Sequence, residues 1–178
     1  MKKSIVKAVR ITEDLDALLE TDAAEKGITP GTLLSTILKK YAEWDRFAER
    51  YGLVSINKQI LRKLVEIASD DEIKNLGTEA GKYYLDRTMF WYKQVNLEYF
   101  TEMLKNSAKY GGITQLDYEN LGDNHVITLR HDFGRKWSLY LAELVRTALS
   151  DAFAVTPLIE TSESSVDIRF RGPAPKIR

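Results

Sequence analysis

The densest group of side chains that could do chemistry lies in residues 130–137, which read Arg-His-Asp-Phe-Gly-Arg-Lys-Trp. The group falls where a predicted strand passes into a predicted helix, and the free N–H groups of a helix N-terminus favour an anion. His131 and Asp132 could also take part in acid–base catalysis. The pattern is therefore compatible with three interpretations. These are an ordinary strand-to-helix junction capped by Asp or Arg, an anion or effector site, and a catalytic site. The residues of the anion or effector site would be Arg130, His131, Arg135 and Lys136.

The catalytic interpretation has little chemical support. Adjacent residues on a strand point to opposite faces, so His131 and Asp132 are poorly placed to bond each other. No nucleophile or glycine-rich phosphate loop accompanies them, and Asp-Phe-Gly at 132–134 stands without the other kinase signatures. His125 and His131 would lie about 20 Å apart along one predicted strand, so they cannot share a metal ion. We therefore expect no enzyme, no metal and no cofactor.

The composition is that of a folded chain and excludes several kinds of chemistry. Hydrophobic residues make up 44% and charged residues 29% of the 178 positions, unlike a disordered protein. Basic and acidic residues number 26 each, so only a local basic patch could attract a polyanion. Cysteine is absent, which removes disulfides and thiolate chemistry. No apolar run approaches ~18 residues, and the polar start is unlike a signal peptide, so we expect a soluble cytoplasmic protein with no membrane partner.

The first twelve residues are the basic part of an otherwise neutral chain. They contain four basic residues and no acid, which gives a local charge of +4. Residues 4–11 are rich in β-branched side chains, which predicts a strand. A lone strand leaves its N–H and C=O groups unpaired. It must therefore pair with another strand of the chain or with its copy in a second molecule.

Two helices are predicted after this strand. Thr12 is the expected N-cap of the first helix, which Gly27 ends. Thr29 is the expected N-cap of the second, with Pro30 at its first position. The apolar positions of this second helix continue at helical spacing as far as Tyr51. The order is therefore one strand followed by two helices.

The residues that carry this order are Val9-Arg10-Ile11-Thr12, Leu15, Leu19, Ala23, Gly27-Ile28-Thr29, Leu33-Leu34, Ile37-Leu38 and Tyr41. The pattern resembles the ribbon-helix-helix family of DNA-binding proteins over residues 4–50. The resemblance implies a homodimer whose two strands pair into a ribbon that enters the major groove of double-stranded DNA. It also implies that N–H groups at the start of the second helix, at Thr29, Gly31 and Thr32, contact a phosphate.

Strand alternation predicts which side chains of the ribbon face DNA. If Val9 and Ile11 point toward the helices, then Val6, Ala8 and Arg10 face outward. Arg10 is suited to guanine, whereas the two aliphatic residues offer only apolar contact. The alternative is a ribbon-helix-helix unit that only dimerises an interaction or scaffold protein. The expected DNA-binding residues are Lys2, Lys3, Val6, Ala8, Arg10, Thr29, Gly31 and Thr32.

Helices are also predicted over 58–68, from Ser69 onward and over 97–109, with Ser55 or Asn57, then Ser69 and Asn96, as caps. The second of these has an expected inner stripe that includes Leu76, Gly77, Ala80, Gly81 and Met89. Glycines inside a helix cost about 1 kcal/mol each, so they indicate either a close approach of another backbone or a helix break.

The aromatic residues concentrate between Tyr83 and Tyr110, which indicates either core filling or an aromatic-lined ligand pocket or partner surface. From residue 113 the apolar period changes from 3.6 to 2. Strands over 113–121 and 125–133, a helix over 134–153, and strands over 155–160 and 166–170 predict a ββαββ unit in an α+β fold.

The predicted organisation has four parts. Residues 1–52 form the ribbon-helix-helix domain, 53–112 a helical connector, 113–172 an α+β domain for oligomerisation or effector sensing, and 173–178 a loose tail. We expect a homodimeric, sequence-specific DNA-binding transcriptional regulator, which could assemble into a higher oligomer. The effector is not identified by the sequence.

Overall fold

The computed structural model describes residues 5–172 and divides the chain into two compact units. Unit 1 is Met1–Arg46 and unit 2 is Phe47–Arg178. Three expectations fall outside the described residues: the DNA contacts of Lys2 and Lys3, and the loose tail at 173–178. Within the described range, no helix combines the length and apolar character that crossing a membrane requires.

Unit 1 contains two α-helices, α1 (Glu13–Glu25) and α2 (Pro30–Lys40), followed by a π-helical turn, Tyr41–Asp45. The predicted start and end of the first helix are confirmed, whereas α2 ends at Lys40, short of the predicted Tyr51. Thr12 occupies the N-cap position of α1, and Gly27 follows that helix with φ +63°, a conformation that glycine adopts readily.

The start of α2 has the predicted cap. The Thr29 hydroxyl accepts the Thr32 N–H at 3.2 Å, and Pro30 takes the first helical position.

The predicted N-terminal strand is not formed within the single chain. Residues 5–12 carry neither helix nor strand, and every one of them is exposed. A two-chain ribbon would require a second molecule, so the ribbon stays a prediction. What the structure shows of unit 1 is a helical pair preceded by an unpaired, solvent-exposed segment.

The helices and strands after the π-helical turn are α3 (Arg46–Tyr51), α4 (Lys58–Ile67), α5 (Asp70–Tyr92), α6 (Leu97–Gly111), β1 (Gln115–Leu121), β2 (Asn124–Arg130), α7 (Arg135–Phe153), β3 (Leu158–Thr161) and β4 (Ser165–Arg171). Unit 2 is an α+β arrangement with a four-stranded antiparallel sheet in the order β1–β2–β4–β3. The predicted ββαββ order is confirmed. Helix α7 lies between the two hairpins in sequence and packs on the sheet face that carries Ile127 and Ile168.

Three predicted caps of unit 2 are confirmed. The Asn57 side chain accepts N–H groups at the start of α4, and Asn96 accepts the Tyr99 N–H at the start of α6. Ser69 and Glu72 form a reciprocal capping box at the start of α5.

Two strand limits differ from the predictions by three residues each, and both differences have a local reason. Strand β2 ends at Arg130 rather than at residue 133, because the His131 ring turns back to accept the Phe133 N–H. Strand β3 begins only at Leu158, directly after Pro157, which has no N–H to donate to a sheet.

The glycines of α5 are explained by a close approach of α7. A Cβ at Gly77 would lie 2.6 Å from the Tyr140 carbonyl oxygen, and one at Gly81 would lie 2.7 Å from the Leu144 carbonyl oxygen. Helix α5 is continuous over 70–92, so the alternative of a helix break is wrong. Because glycine has no Cβ, the two helix backbones pack at a distance that an alanine at either position would prevent.

The aromatic residues between 83 and 110 mostly fill the core of unit 2. Tyr84, Trp91 and Phe100 are buried in one cluster with the inner face of the sheet, which supports core filling. The predicted inner stripe of α5 was wrong at Leu76 and Met89, which are exposed. The glycine face, and not those two positions, meets α7.

The α5–α7 contact predicts unequal effects of two glycine substitutions. Gly77→Ala should lower the free energy of unfolding by about 1–3 kcal/mol, because the added methyl group overpacks the interface. Gly111→Ala is the matched control, since a Cβ at this helical position meets nothing within 4 Å. It should be neutral or stabilising by up to about 1 kcal/mol. Urea denaturation measures both, and equal effects would contradict this account of the contact.

Candidate functional site

The strand-to-helix junction is organised around the His131 ring. Its Nδ1 accepts the Phe133 N–H at 3.2 Å, and its Nε2 lies 2.9 Å from Ser138 Oγ. The Ser138 hydroxyl donates its proton to the Ser162 carbonyl at 2.7 Å. Since that proton is already committed, Nε2 must be the donor to Ser138. These bonds define a neutral imidazole protonated on Nε2, and burial lowers the pKa of His131.

Ser138 was missed by the sequence analysis, although it is the partner of the candidate histidine. A serine beside a histidine is a familiar nucleophile and base, but here the histidine donates to the serine. The Ser138 side chain is also completely buried. The arrangement therefore ties the end of β2 to α7 and to the β3–β4 turn, and exposes no nucleophile to a substrate.

Asp132 turns away from His131 and toward helix α4. Arg62 donates to the Asp132 carbonyl oxygen at 2.8 Å and to its carboxylate at 3.0 Å, and the Lys58 ammonium lies 3.1 Å from the same carboxylate. Hydrogen bonding to Lys58, aided by the charge of Arg62, lowers the pKa of Asp132. The predicted separation of the two side chains is confirmed, but the reason is not strand alternation, because β2 ends at Arg130.

The other three candidate anion ligands all have partners within unit 2. Arg130 is paired with Asp117, and Arg135 with Asp70 at 2.8 Å. Lys136 donates to two carbonyl oxygens at the C-terminal end of α4, at 2.8 and 2.5 Å. An anion at this place would have to displace these acceptors, so the contacts favour the interpretation as a structural junction.

The cap of α7 comes from an unexpected residue. Gly134 occupies the N-cap position, and the Arg135 N–H donates to the Glu163 carboxylate at 3.1 Å. The sequence analysis expected an Asp or Arg of the junction itself. No signal in the local sequence points to Glu163, because it lies 28 residues downstream on the β3–β4 turn.

His125 lies near the start of β2 and His131 just beyond its end, so the structure keeps the two histidines apart. His125 Nδ1 is 2.7 Å from the Tyr118 hydroxyl, and its ring stacks against Phe170. Among residues 5–172, no three histidine, aspartate or glutamate side chains cluster as metal ligands would.

The candidate nucleic-acid interface lies in unit 1. Val6, Ala8 and Arg10 are all exposed on the segment before α1. At the start of α2, the Thr29 and Thr32 hydroxyls lie 2.9 Å apart, and the N–H of Gly31 belongs to the first turn, where a helix offers no acceptor. Gly31 itself is exposed, so this end of the helix is open to solvent.

Unit 1 buries very few apolar side chains. Among residues 5–46, the buried core consists of Leu19, Ala23 and Leu33. Many larger apolar side chains of the same segment and helices are exposed instead. They are Ile5, Val6, Val9, Ile11, Leu15, Leu18, Ile28, Leu34, Ile37, Leu38 and Tyr41.

Burial of both histidines predicts a pH-dependent stability. A buried histidine has its pKa lowered in the folded state, so the unfolded chain binds more protons once the pH falls below about 6.5. The contribution of the two histidines to the free energy of unfolding should therefore be fully present above that pH. The free energy of unfolding should decrease as the pH is lowered from 7.5 to 5.5. Urea denaturation at several pH values measures this dependence.

The two histidine variants separate the contributions. His131→Gln and His125→Gln should each reduce the decrease, and the double variant should remove it within this pH range. At pH 7.5, His131→Ala should also cost about 1–3 kcal/mol, since it leaves buried polar partners unsatisfied. A wild-type stability that does not change over this range would contradict the assignment.

Comparison with known proteins gives no relative on which to base a role for these residues. No protein-family model matches the chain, and no curated protein sequence is significantly similar to it. The assignment of function therefore depends on the geometry of the two units.

Proposed function

We propose that the chain is a homodimeric, sequence-specific DNA-binding transcriptional regulator. In this proposal two copies of unit 1 pair through their N-terminal segments and helices, and unit 2 serves oligomerisation or effector sensing. The observation that carries the proposal is the unfilled apolar surface of unit 1, which lies beside a basic, unpaired segment.

The small core of unit 1 is the first argument for a second copy. A segment of about 40 residues rarely folds alone without a disulfide, a metal or a partner chain. The sequence has no cysteine. A core of three residues leaves most of the apolar surface of the two helices exposed to water. Burying that surface would stabilise the fold by about 25 cal/mol for each Å² of apolar area.

The position of the exposed residues is the second argument. On α2 the exposed Leu34, Ile37 and Leu38 recur at helical spacing beside the buried Leu33. They therefore widen an existing apolar face instead of being scattered over the helix. A second copy offers the same face, as the two-fold symmetry of most homodimers requires.

The N-terminal segment supplies the contact with DNA in this proposal. Two copies pair antiparallel, which satisfies the N–H and C=O groups that one chain leaves to water. The resulting two-stranded ribbon fits the major groove and brings together eight positive charges, four from each chain. Arg10 contacts a base edge, while Lys2 and Lys3 contact phosphates.

The start of α2 supports a phosphate contact. Thr29, Gly31 and Thr32 present a hydroxyl pair and a first-turn N–H at one helix end, with no acid in the first turn of the helix. The positive end of the helix dipole adds to the attraction for an anion.

One observation favours the alternative of a unit that only dimerises. Val6 and Ala8, which strand alternation places toward DNA, are aliphatic and exposed. Such side chains can contact thymine methyl groups but cannot form hydrogen bonds with base edges. Of the three outward-facing residues, only Arg10 could form hydrogen bonds with base edges. In the alternative, unit 1 only dimerises the chain and unit 2 binds protein partners.

Dimerisation through α2 predicts the effect of a charge at its exposed face. Leu38 is 65% exposed in the single chain, so Leu38→Glu should leave the monomer folded but prevent two copies from burying this position. Light scattering at micromolar concentration should then report a monomer. Leu158→Glu is the matched control, because Leu158 on β3 is 60% exposed and lies in unit 2. An intact wild-type chain that is monomeric would contradict the proposed dimer.

DNA binding is tested with base-contacting and phosphate-contacting variants. Arg10→Ala should weaken binding to a selected site by about 1–3 kcal/mol and binding to random DNA much less. Lys3→Ala should weaken both equally and reduce the log–log salt slope by about 0.9 for each phosphate that the variant no longer neutralises. Selection from genomic fragments and gel shifts at ~150 mM salt provide these affinities. If no sequence is enriched, the regulator proposal fails and the dimerisation alternative gains support.

A further inference from the structure

Helix α4 exposes an apolar stripe that none of the described elements of unit 2 covers. Ile60, Leu64 and Ile67 follow one another at i, i+4 and i+7, and they are 56%, 50% and 81% exposed. A second apolar row on the same helix, formed by Leu61 and Val65, faces the rest of unit 2 and is half-buried or buried. Helix α4 therefore has a wide apolar surface of which only one side is used within the chain.

The stripe is presented on a helix that is held in place by polar contacts. Arg62 and Lys58 bind Asp132, and Lys136 binds the two carbonyl oxygens at the C-terminal end of α4. Asn57 caps its N-terminus. These bonds fix the orientation of the helix without covering the stripe, so the surface is available in a defined geometry.

The spacing of the stripe is self-complementary. Its outer members lie four residues before and three residues after Leu64. If two α4 helices pack antiparallel about a two-fold axis at Leu64, Ile60 of one copy lies against Ile67 of the other. Each contact is then made twice, as an isologous interface requires.

The charges beside the stripe do not oppose such a pairing. Lys63 and Glu66 flank it and form an ion pair at 2.7 Å within the chain. Both signs are therefore present next to the apolar residues, and two identical surfaces do not present a single excess charge to each other.

The small size of the stripe argues for a second copy in preference to a free partner. A stable interface between separate proteins usually buries more than about 1,000 Å², and three side chains on one helix provide much less. Within a dimer, however, the second unit 2 is tethered, and effective concentrations for short connections reach about 1 mM. A weak patch is sufficient under that condition.

We propose that the α4 stripe is a second, weaker homodimer contact, in which Leu64 of one chain packs against Leu64 of the other in an antiparallel helix pair. This inference rests on the proposed dimerisation of unit 1, which provides the tether. It assigns to unit 2 a specific interface that the ribbon-helix-helix resemblance does not cover.

Disulfide trapping tests the contact directly, because the chain has no cysteine of its own. Leu64→Cys, located on the two-fold axis, should form a cross-linked dimer under mild oxidation. Ile60→Cys alone should not, since its copies lie about 12 Å apart along the helices and a disulfide spans Cα atoms less than about 7 Å apart. A mixture of Ile60→Cys and Ile67→Cys chains, allowed to exchange, should cross-link. Leu158→Cys is the exposed control and should remain reduced.

A second variant separates this proposal from the proposed dimerisation of unit 1. Adding Leu38→Glu to Leu64→Cys removes the tether, so cross-linking at ~10 μM chain should become about a hundredfold slower. A dimeric wild-type chain whose Leu64→Cys variant does not cross-link would overturn the α4 contact alone and leave the stripe to another partner. Cross-linking between two Ile60→Cys chains would overturn the antiparallel arrangement. Cross-links at Leu64→Cys between chains of different dimers would overturn the proposal that the contact forms within one dimer.

Discussion

The backbone contact between α5 and α7 is the constraint on which the rest of unit 2 depends. Gly77 and Gly81 let α7 approach α5 so closely that a single methyl group would collide with carbonyl oxygens of the neighbouring helix. The opposite side of α7 packs against the sheet. Helix α7 is therefore enclosed on two sides, which explains why Val145, Ala148 and Leu149 are completely or almost completely buried. Small residues on α5 thus determine how deeply the central helix sits.

The two units meet the requirement for a core in different ways. Unit 2 buries a continuous set of aromatic and aliphatic side chains from three helices and the sheet. Among its described residues, unit 1 buries three apolar side chains. Helix α4 is intermediate, because it is attached to unit 2 through Arg62, Asp132 and Lys136 and buries only Val65. The apolar surfaces left open in unit 1 and on α4 are consequently the places where a second chain would add stability.

Much of the fold could be predicted from local signals. Neighbouring residues alone determine the helix caps and the change of the apolar period, and the structure confirms both. The caps are Thr29, Asn57 and Ser69, and the period changes at residue 113. The contacts of His131 could not be predicted in this way. Ser138 and the Ser162 carbonyl reach it through the tertiary fold.

The N-terminal segment marks a different limit. Residues 5–12 carry no regular structure in the single chain. A strand that pairs only with its copy would form its hydrogen bonds only in an assembled dimer, so a single chain does not test the proposed ribbon. The DNA contacts proposed for Arg10 and its neighbours would depend on that assembly in the same way.

The cap of α7 has a consequence for the order of folding. The first N–H of this helix is satisfied by Glu163, 28 residues later, and the Ser138 hydroxyl by a carbonyl group on the same turn. An isolated α7 would begin with these groups open to water, and closing the intervening loop costs entropy before the bonds form. The helix start and the β3–β4 turn should therefore become stable together. The Arg135 amide then exchanges its hydrogen with solvent only when that turn opens, so one amide reports the integrity of two distant elements.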